Sequence, residues 1–161
     1  MTALKLELNG DTQAIITRRF AAPPALVYRA HVEPALLQRW CLGPDGWEMH
    51  ECTFEARVGG RFLYRWRNAE GHGFHADGEI LEIEPGKRIL HVERMYLPDP
   101  TPDNRVETQF FADGSGTLMK MTMTVPNAEI REAMLATGMT DGMEISYERM
   151  ERVLSGEAES A

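Results

Sequence analysis

Residues able to do chemistry are thinly spread along this chain. Gly71-His72-Gly73-Phe74-His75-Ala76 has the glycine spacing of a dinucleotide-binding turn. That turn works only between a strand and a helix N-terminus, where the dipole faces the pyrophosphate. Strand-like patterns flank it on both sides, so it reads as a hairpin connection and no cofactor is expected. His72, His75 and His91, with Cys41 or Cys52, supply metal-ligating atoms. No Cys-x-x-Cys and no histidine pair at helical spacing completes a site, and strand positions three apart point to opposite faces. Structural or surface histidines are the expectation, with no metal. Cys41 could be a nucleophile, but no acid–base partner can be named for it; a small apolar role after a short helix is the simpler reading. Asp77, Glu79, Glu82 and Glu84 could act as acids or bases if one pKa were raised, yet such a run more often forms a solvated sheet face.

Arg57 to Arg67 holds four arginines and no acid, with Phe62, Tyr64 and Trp66 interleaved. Basic residues among aromatics can bind single-stranded nucleic acid. Strand alternation, however, puts the three aromatics on one face and Arg61, Arg65 and Arg67 on the other, so bases could not use both. Aromatics inward and arginines outward, balanced by carboxylates, is the expectation. The whole chain argues the same way: Lys+Arg 17 against Asp+Glu 25 leaves a net charge of −8, the wrong sign for nucleic acid or an anionic membrane.

The 161 residues match one domain, residues 1–161, and 43% hydrophobic with 26% charged is the balance of a soluble globular chain. Two cysteines cannot staple a scaffold. No apolar run is long enough to span a bilayer, and the first residues, Met-Thr-Ala-Leu-Lys-Leu-Glu, lack the apolar stretch of a signal peptide. A cytoplasmic location is expected.

The elements follow from periodicity. Leu4, Leu6 and Leu8 alternate with Lys5 and Glu7 as a strand, Asn9-Gly10 suggests a type I′ turn, and a second strand covers Thr12 to Phe20. Pro23-Pro24 and Pro34 open two short helices, 24–32 and 34–40. From 47 to 124 the period becomes two. Strands at 47–56, 61–67, 74–84, 88–96, 105–112 and 117–125, with short connections, predict an antiparallel meander. Asn127 should cap a helix running to Thr137, with Gly138 stopping it. Thr140 should cap a longer helix to Leu154, leaving 156–161 as a polar tail. On that helix Met143, Tyr147, Met150 and Leu154 form an apolar stripe, with Glu144, Glu148, Glu151 and Arg152 opposite.

The chain is therefore read as α+β, with the last helix laid on the concave face of a curled sheet. Ten methionines, seven of them after residue 118, bear on what lies between. Met119, Met121 and Met123 share a strand face, and Met139, Met143, Tyr147 and Met150 would oppose them. Methionine fills irregular gaps and also lines adaptable pockets, so pattern alone leaves a solid core and an apolar ligand chamber equally open. Tyr147 and Trp66 each carry a polar handle that needs a partner when buried.

Several segments in order resemble a known family. They are Ile16-Thr17-Arg18-Arg19-Phe20-Ala21-Ala22-Pro23, Val27-Tyr28, Pro34, Leu37 and Trp40, Gly43-Pro44, Val58-Gly59-Gly60-Arg61-Phe62, Gly78 to Pro85, and Gly138-Met139-Thr140-Asp141-Gly142. Together, over about 13–155, they are similar to the activator of heat-shock protein 90 ATPase homologue 1-like (C-terminal-domain-like) family of the START-like (Bet v 1, SRPBCC) superfamily. The resemblance implies a helix-grip fold: an antiparallel sheet wrapped around a long C-terminal helix with a cavity between them. The family often reads Trp-Trp-Gly-Pro where Trp40-Cys41-Leu42-Gly43-Pro44 stands, Trp at Met143, and Leu at Tyr147 and Met150. A homodimer through the sheet follows only by analogy, and the extra chaperone-engaging domain of the eukaryotic co-chaperone has no room in 161 residues.

Three functions stay open at this stage. The leading one is a non-enzymatic binding or carrier domain for a small apolar molecule, touched by Trp40, Tyr64, Trp66, Met121, Met143, Tyr147 and Met150. The second is a cyclase- or hydrolase-like enzyme in the same cavity, with His75 or Tyr147 as general acid/base. The third is an interaction module stimulating a chaperone ATPase.

Overall fold

The computed structural model describes residues 4–160, with side chains as far as Gly156. The elements run β1 (Lys5–Asn9), β2 (Gln13–Phe20), α1 (Pro24–Val32), α2 (Pro34–Trp40), β3 (Trp47–Phe54), β4 (Arg61–Asn68), β5 (Gly73–Glu84), β6 (Arg88–Tyr96), β7 (Asn104–Asp113), β8 (Gly116–Thr124), α3 (Ala128–Leu135) and α4 (Met139–Ser160). All strands pair antiparallel in one eight-stranded sheet of order β1-β2-β8-β7-β6-β5-β4-β3. The meander β3 to β8 forms as read from the alternation. Its last strand pairs with β2, which joins the first hairpin to the sheet and leaves β1 and β3 as edges. This is the α+β helix-grip arrangement, with α4 packed on the sheet.

Three local expectations change. Among the described residues no non-glycine has positive φ, so Asn9 cannot occupy a type I′ turn; it pairs with Gln13, and Gly10 at φ 57° opens a longer connection through Asp11 and Thr12. Thr140 does not cap α4. The helix starts one residue earlier, and the first amide bonds, from Asp141 and Gly142, go to the Gly138 carbonyl. Nor does α4 stop at Leu154, because nothing after it forces a left-handed turn; it continues to Ser160, and of the anticipated tail only Ala161 lies wholly outside the described residues. Asn127 does cap α3, accepting the Ile130 N–H at 2.9 Å.

Register defines an inner and an outer face. One inner row runs Ala14, Met123, Val106, His91, Ile80 across five strands. Another runs Cys52, Tyr64, Ala76, Met95. Phe62, Tyr64 and Trp66 point inward and Arg61, Arg65 and Arg67 outward, where Glu79, Glu51 and Glu48 balance them. Gly78 sits on the inner face under the Phe62 ring. A Cβ there would collide with that ring and with the Val92 carbonyl, so the position needs glycine for space.

One inward residue is a buried cation. Arg18 on β2 is 2% exposed, and a guanidinium there requires partners on every nitrogen. Its Nε and Nη2 make a bidentate pair with Glu144 of α4, both at 2.9 Å, and Nη1 reaches Glu151 at 3.3 Å. The plane lies 4.8 Å from the Phe20 ring centroid and 5.9 Å from that of Tyr147. Glu144 also accepts the Leu4 N–H, and Glu151 that of Ala21. Glu144 and Glu151 therefore belong to the sheet-facing flank of α4, not to its solvated side as the stripe suggested. A second tie holds the loop after α2: Ser146 accepts the Gly43 N–H at 2.9 Å, and Arg149 donates to the carbonyls of Trp40 and Gly43.

Burial works to lower the Arg18 pKa, but hydrogen bonds and charge from Glu144 and Glu151 outweigh it and hold it raised. The Arg18 hydrogen bond lowers Glu144 below its ordinary 4.5, against the opposing effect of burial. A depressed carboxyl pKa stabilises the fold above the unfolded value, and that stability disappears as pH falls through the folded one. Glu144→Gln should therefore cost about 2 kcal/mol at neutral pH, less than a fully orphaned buried charge because Glu151 remains. It should also flatten the acid limb below pH 4.5. Urea unfolding across pH measures both; an unchanged midpoint at neutral pH would remove the clamp from the account.

Candidate functional site

The inner face is sealed unevenly. Around β2, β7 and β8 it is closed: Ala14, Ile16 and Met119 are 0% exposed and Val106 and Met123 2%. Toward β3 to β6 it is mixed: Met49, Phe62, Trp66, Ala76, Ile80 and Ile89 are buried, but not every inward residue is. Cys52, Tyr64, Phe74 and Met95 are only half-buried, although all four point inward. The same gradient runs along α4, whose Tyr147, Met150 and Leu154 are buried while Met139 and Met143 are half-buried. The N-terminal half of α4 and the inner face of β4 to β6 thus stay partly open.

Of the residues expected to touch a ligand, Tyr64, Met121 and Met143 are half-buried on the inner side. Trp40, Trp66 and Tyr147 form its aromatic wall. Trp40 donates its indole N–H to Ala30 O at 2.8 Å and stacks on Tyr147 with centroids 6.0 Å apart. Trp66 donates to Cys41 O at 2.8 Å and stacks on Phe74 at 4.8 Å. Both indoles are locked by backbone carbonyls, which fixes the wall. Met150 is 0% exposed and belongs to the sealed core.

Tyr147 has what a binding handle requires. The residue is 2% exposed, its ring is held edge-on by Phe20, and its hydroxyl has no hydrogen-bond partner among the described residues. Tyr64 likewise has an unpartnered hydroxyl. Burial raises both phenols, with thiol and carboxylate neighbours adding to it, so each is a neutral O–H able to donate or accept.

His75, the other acid–base candidate, is on the outer face. It pairs in register with Arg65 and Tyr96 and stacks on the Tyr96 ring at 4.2 Å. An odd number of strand positions separates it from Phe74 and Ala76, so alternation carries it away from Tyr147. His72 is exposed in the β4–β5 turn beside Glu70. Among the described residues no three metal-ligating side chains gather. Asp77 and Glu79 are outer-face partners of Arg94, and Glu82 of Arg88.

The polar residues that do face inward came from elsewhere. Glu93 shares its inner row with Gly78 and Phe62 and accepts from His91 Nε2 at 2.9 Å. After burial, which is the main cause, its negative charge adds to the upward shifts of Cys41, Tyr64 and Tyr147. Burial pushes the Cys41 thiol up to about 12 and Cys52 to about 11, the opposite of an activated nucleophile. His31 of α1 is wedged against the Trp40 and Phe110 rings and donates Nδ1–H to Val27 O at 2.8 Å. Its Nε2, like His91 Nδ1, is buried without a partner. The alternation Ile89, His91, Glu93, Met95 was the available signal, but Leu90 and Val92 make the opposite face apolar too and hid it.

The profile of the activator of Hsp90 ATPase homolog 1-like proteins matches residues 21–155. The chain belongs to this family. Among solved structures, a Rhodobacter sphaeroides protein superposes with a TM-score of 0.91 at 28% identity, covering 96% of this chain and 99% of the other. A Nitrosomonas europaea protein gives 0.82 at 23% identity over 94% and 99%. One from Mycobacterium smegmatis gives 0.81 at 22% over 95% and 96%. Comparison with curated proteins gives no match. Among the described residues of this family member, no helix is long and apolar enough to cross a membrane.

His31 gives this member of the activator of Hsp90 ATPase homolog 1-like family a testable acid response. Burial, opposed by the Val27 bond and helped by His91, lowers it from 6.5 to about 4. A histidine held neutral stabilises the fold above its unfolded pKa, and that contribution is lost as pH falls from 6.5 toward 4. Thermal unfolding across this range should show the loss in the parent and a flatter profile in His31→Leu. Parallel profiles would refute the assignment.

Proposed function

We propose that the protein is a binding or carrier domain for a small apolar molecule, held between the inner face of β4 to β6, with Met121 of β8, and the N-terminal half of α4. The observation that carries this reading is the open half of an otherwise sealed interior: inward Tyr64, Met95 and Met121 remain half-buried opposite a helix whose Met139 and Met143 do too. Exposed inward apolar surface costs free energy at about 25 cal/mol per Å², and a ligand that covers it recovers that energy. Pockets of this kind are mostly hydrophobic with a few polar anchors, and Tyr64, Tyr147 and Glu93 supply them. Methionine lets the wall adapt to an irregular guest.

No observation favours the chaperone-module reading over this one. The enzyme reading keeps Tyr147 but loses His75, which is on the wrong face.

Native mass spectrometry of freshly purified protein, followed by extraction, should release a reproducible adduct. Met143→Trp, which fills the opening with an indole, should abolish that adduct while leaving the fold and its unfolding midpoint within about 1 kcal/mol of the parent. An adduct that persists undiminished in this variant would place the ligand elsewhere.

A further inference from the structure

The charges around the site are not balanced, and the imbalance bears on what the ligand carries. The cations on the inner side are already engaged. Arg18 spends all three guanidinium nitrogens on Glu144, Glu151 and the Arg19 carbonyl. Arg149 engages Nη1 with the carbonyls of Trp40 and Gly43 and Nη2 with Asp45.

The acceptors are not engaged to the same degree. Glu93 receives one hydrogen bond, from His91 to Oε1, and its Oε2 has no partner among the described residues. A carboxylate accepts only, so His91 Nε2 is the donor in that bond, and His91 Nδ1 makes none. By the same logic His31 donates through Nδ1 to Val27, leaving Nε2 bare. Both bare nitrogens are buried without partners. Beside this group the Phe62 ring packs against His91 at 5.2 Å, with Tyr64 next to it at 5.1 Å, and the faces of such rings attract positive charge and repel negative.

We infer that the ligand of this site is an apolar molecule bearing a hydrogen-bond donor, above all a protonated amine, received by Glu93, and that the site discriminates against carboxylates. The inference rests on the cavity reading above and adds the polar group of the guest. An amine finds an open carboxylate oxygen and aromatic faces there. A carboxylate finds Glu93 itself and no free cation to offset the repulsion.

Three probes of one skeleton test it on the full chain at neutral pH by calorimetric titration: naphthylmethylamine, naphthylmethanol and naphthoate. The amine should bind at least about tenfold tighter than naphthoate, with the alcohol between them; tenfold is about 1.4 kcal/mol. In Glu93→Gln the amine should weaken by about tenfold while the alcohol changes little, because the amide oxygen still accepts. Naphthoate binding as tightly as the amine in the parent protein would overturn the inference without needing any variant to fold. Equal affinities unaffected by Glu93→Gln would overturn it too, while leaving the cavity reading standing. If none of the three binds, naphthylmethanol included, the cavity reading fails and takes this one with it.

Discussion

The position of the C-terminal helix depends on one buried arginine. Arg18 projects from β2 into the interior, where an unpaired guanidinium would be prohibitively costly, and its demand for partners is met by Glu144 and Glu151 on α4. Because the Glu144 contact is bidentate, it fixes the rotation of the helix as well as its distance from the strand. Rotation decides which residues face the sheet. With Glu144 over Arg18, Tyr147 falls against Phe20 and Trp40, and Met143 comes to the open side. The Ser146 and Arg149 bonds to the loop after α2 hold the same helix from its other flank.

Between these two ties the helix is suspended over a sheet that it does not fully cover. Toward Leu154 the inward side chains of the helix are buried; toward Met139 they are half-buried. The aromatic wall of the open part is rigid, since Trp40 and Trp66 are each pinned by a backbone carbonyl and stacked on a neighbouring ring. The methionines and the unpartnered phenols are the adaptable part. A stiff aromatic wall opposite soft thioethers suits a guest selected by its polar group more than by its outline.

The antiparallel meander, the helix positions and the inward aromatics were legible because period-two and period-3.6 patterns report directly on which side a residue faces, whereas the pairing of β2 with β8 leaves no such local pattern. The open half of the interior was not legible, since a methionine reads the same whether it fills space or lines it. Arg18 and its glutamates were also hidden. A lone charge in an alternating strand looks like surface, and Glu144 and Glu151 flank the helix stripe where solvated residues normally sit. His75 has the residue type for acid–base work, but alternation from the inward Phe74 puts it on the outer face. Glu93 was hidden because apolar and charged residues stand on both faces of β6, so alternation does not mark which face is inner.

Methionine methyl groups are distributed across the sealed and the open regions, and so report on the central claim one by one. Titrating methyl-labelled protein with naphthylmethanol should move the resonances of Met121, Met139 and Met143 while leaving Met119, Met123 and Met150 in place. Shifts confined to Met119, Met123 and Met150, or none at all at saturating probe, would contradict a ligand space beneath α4.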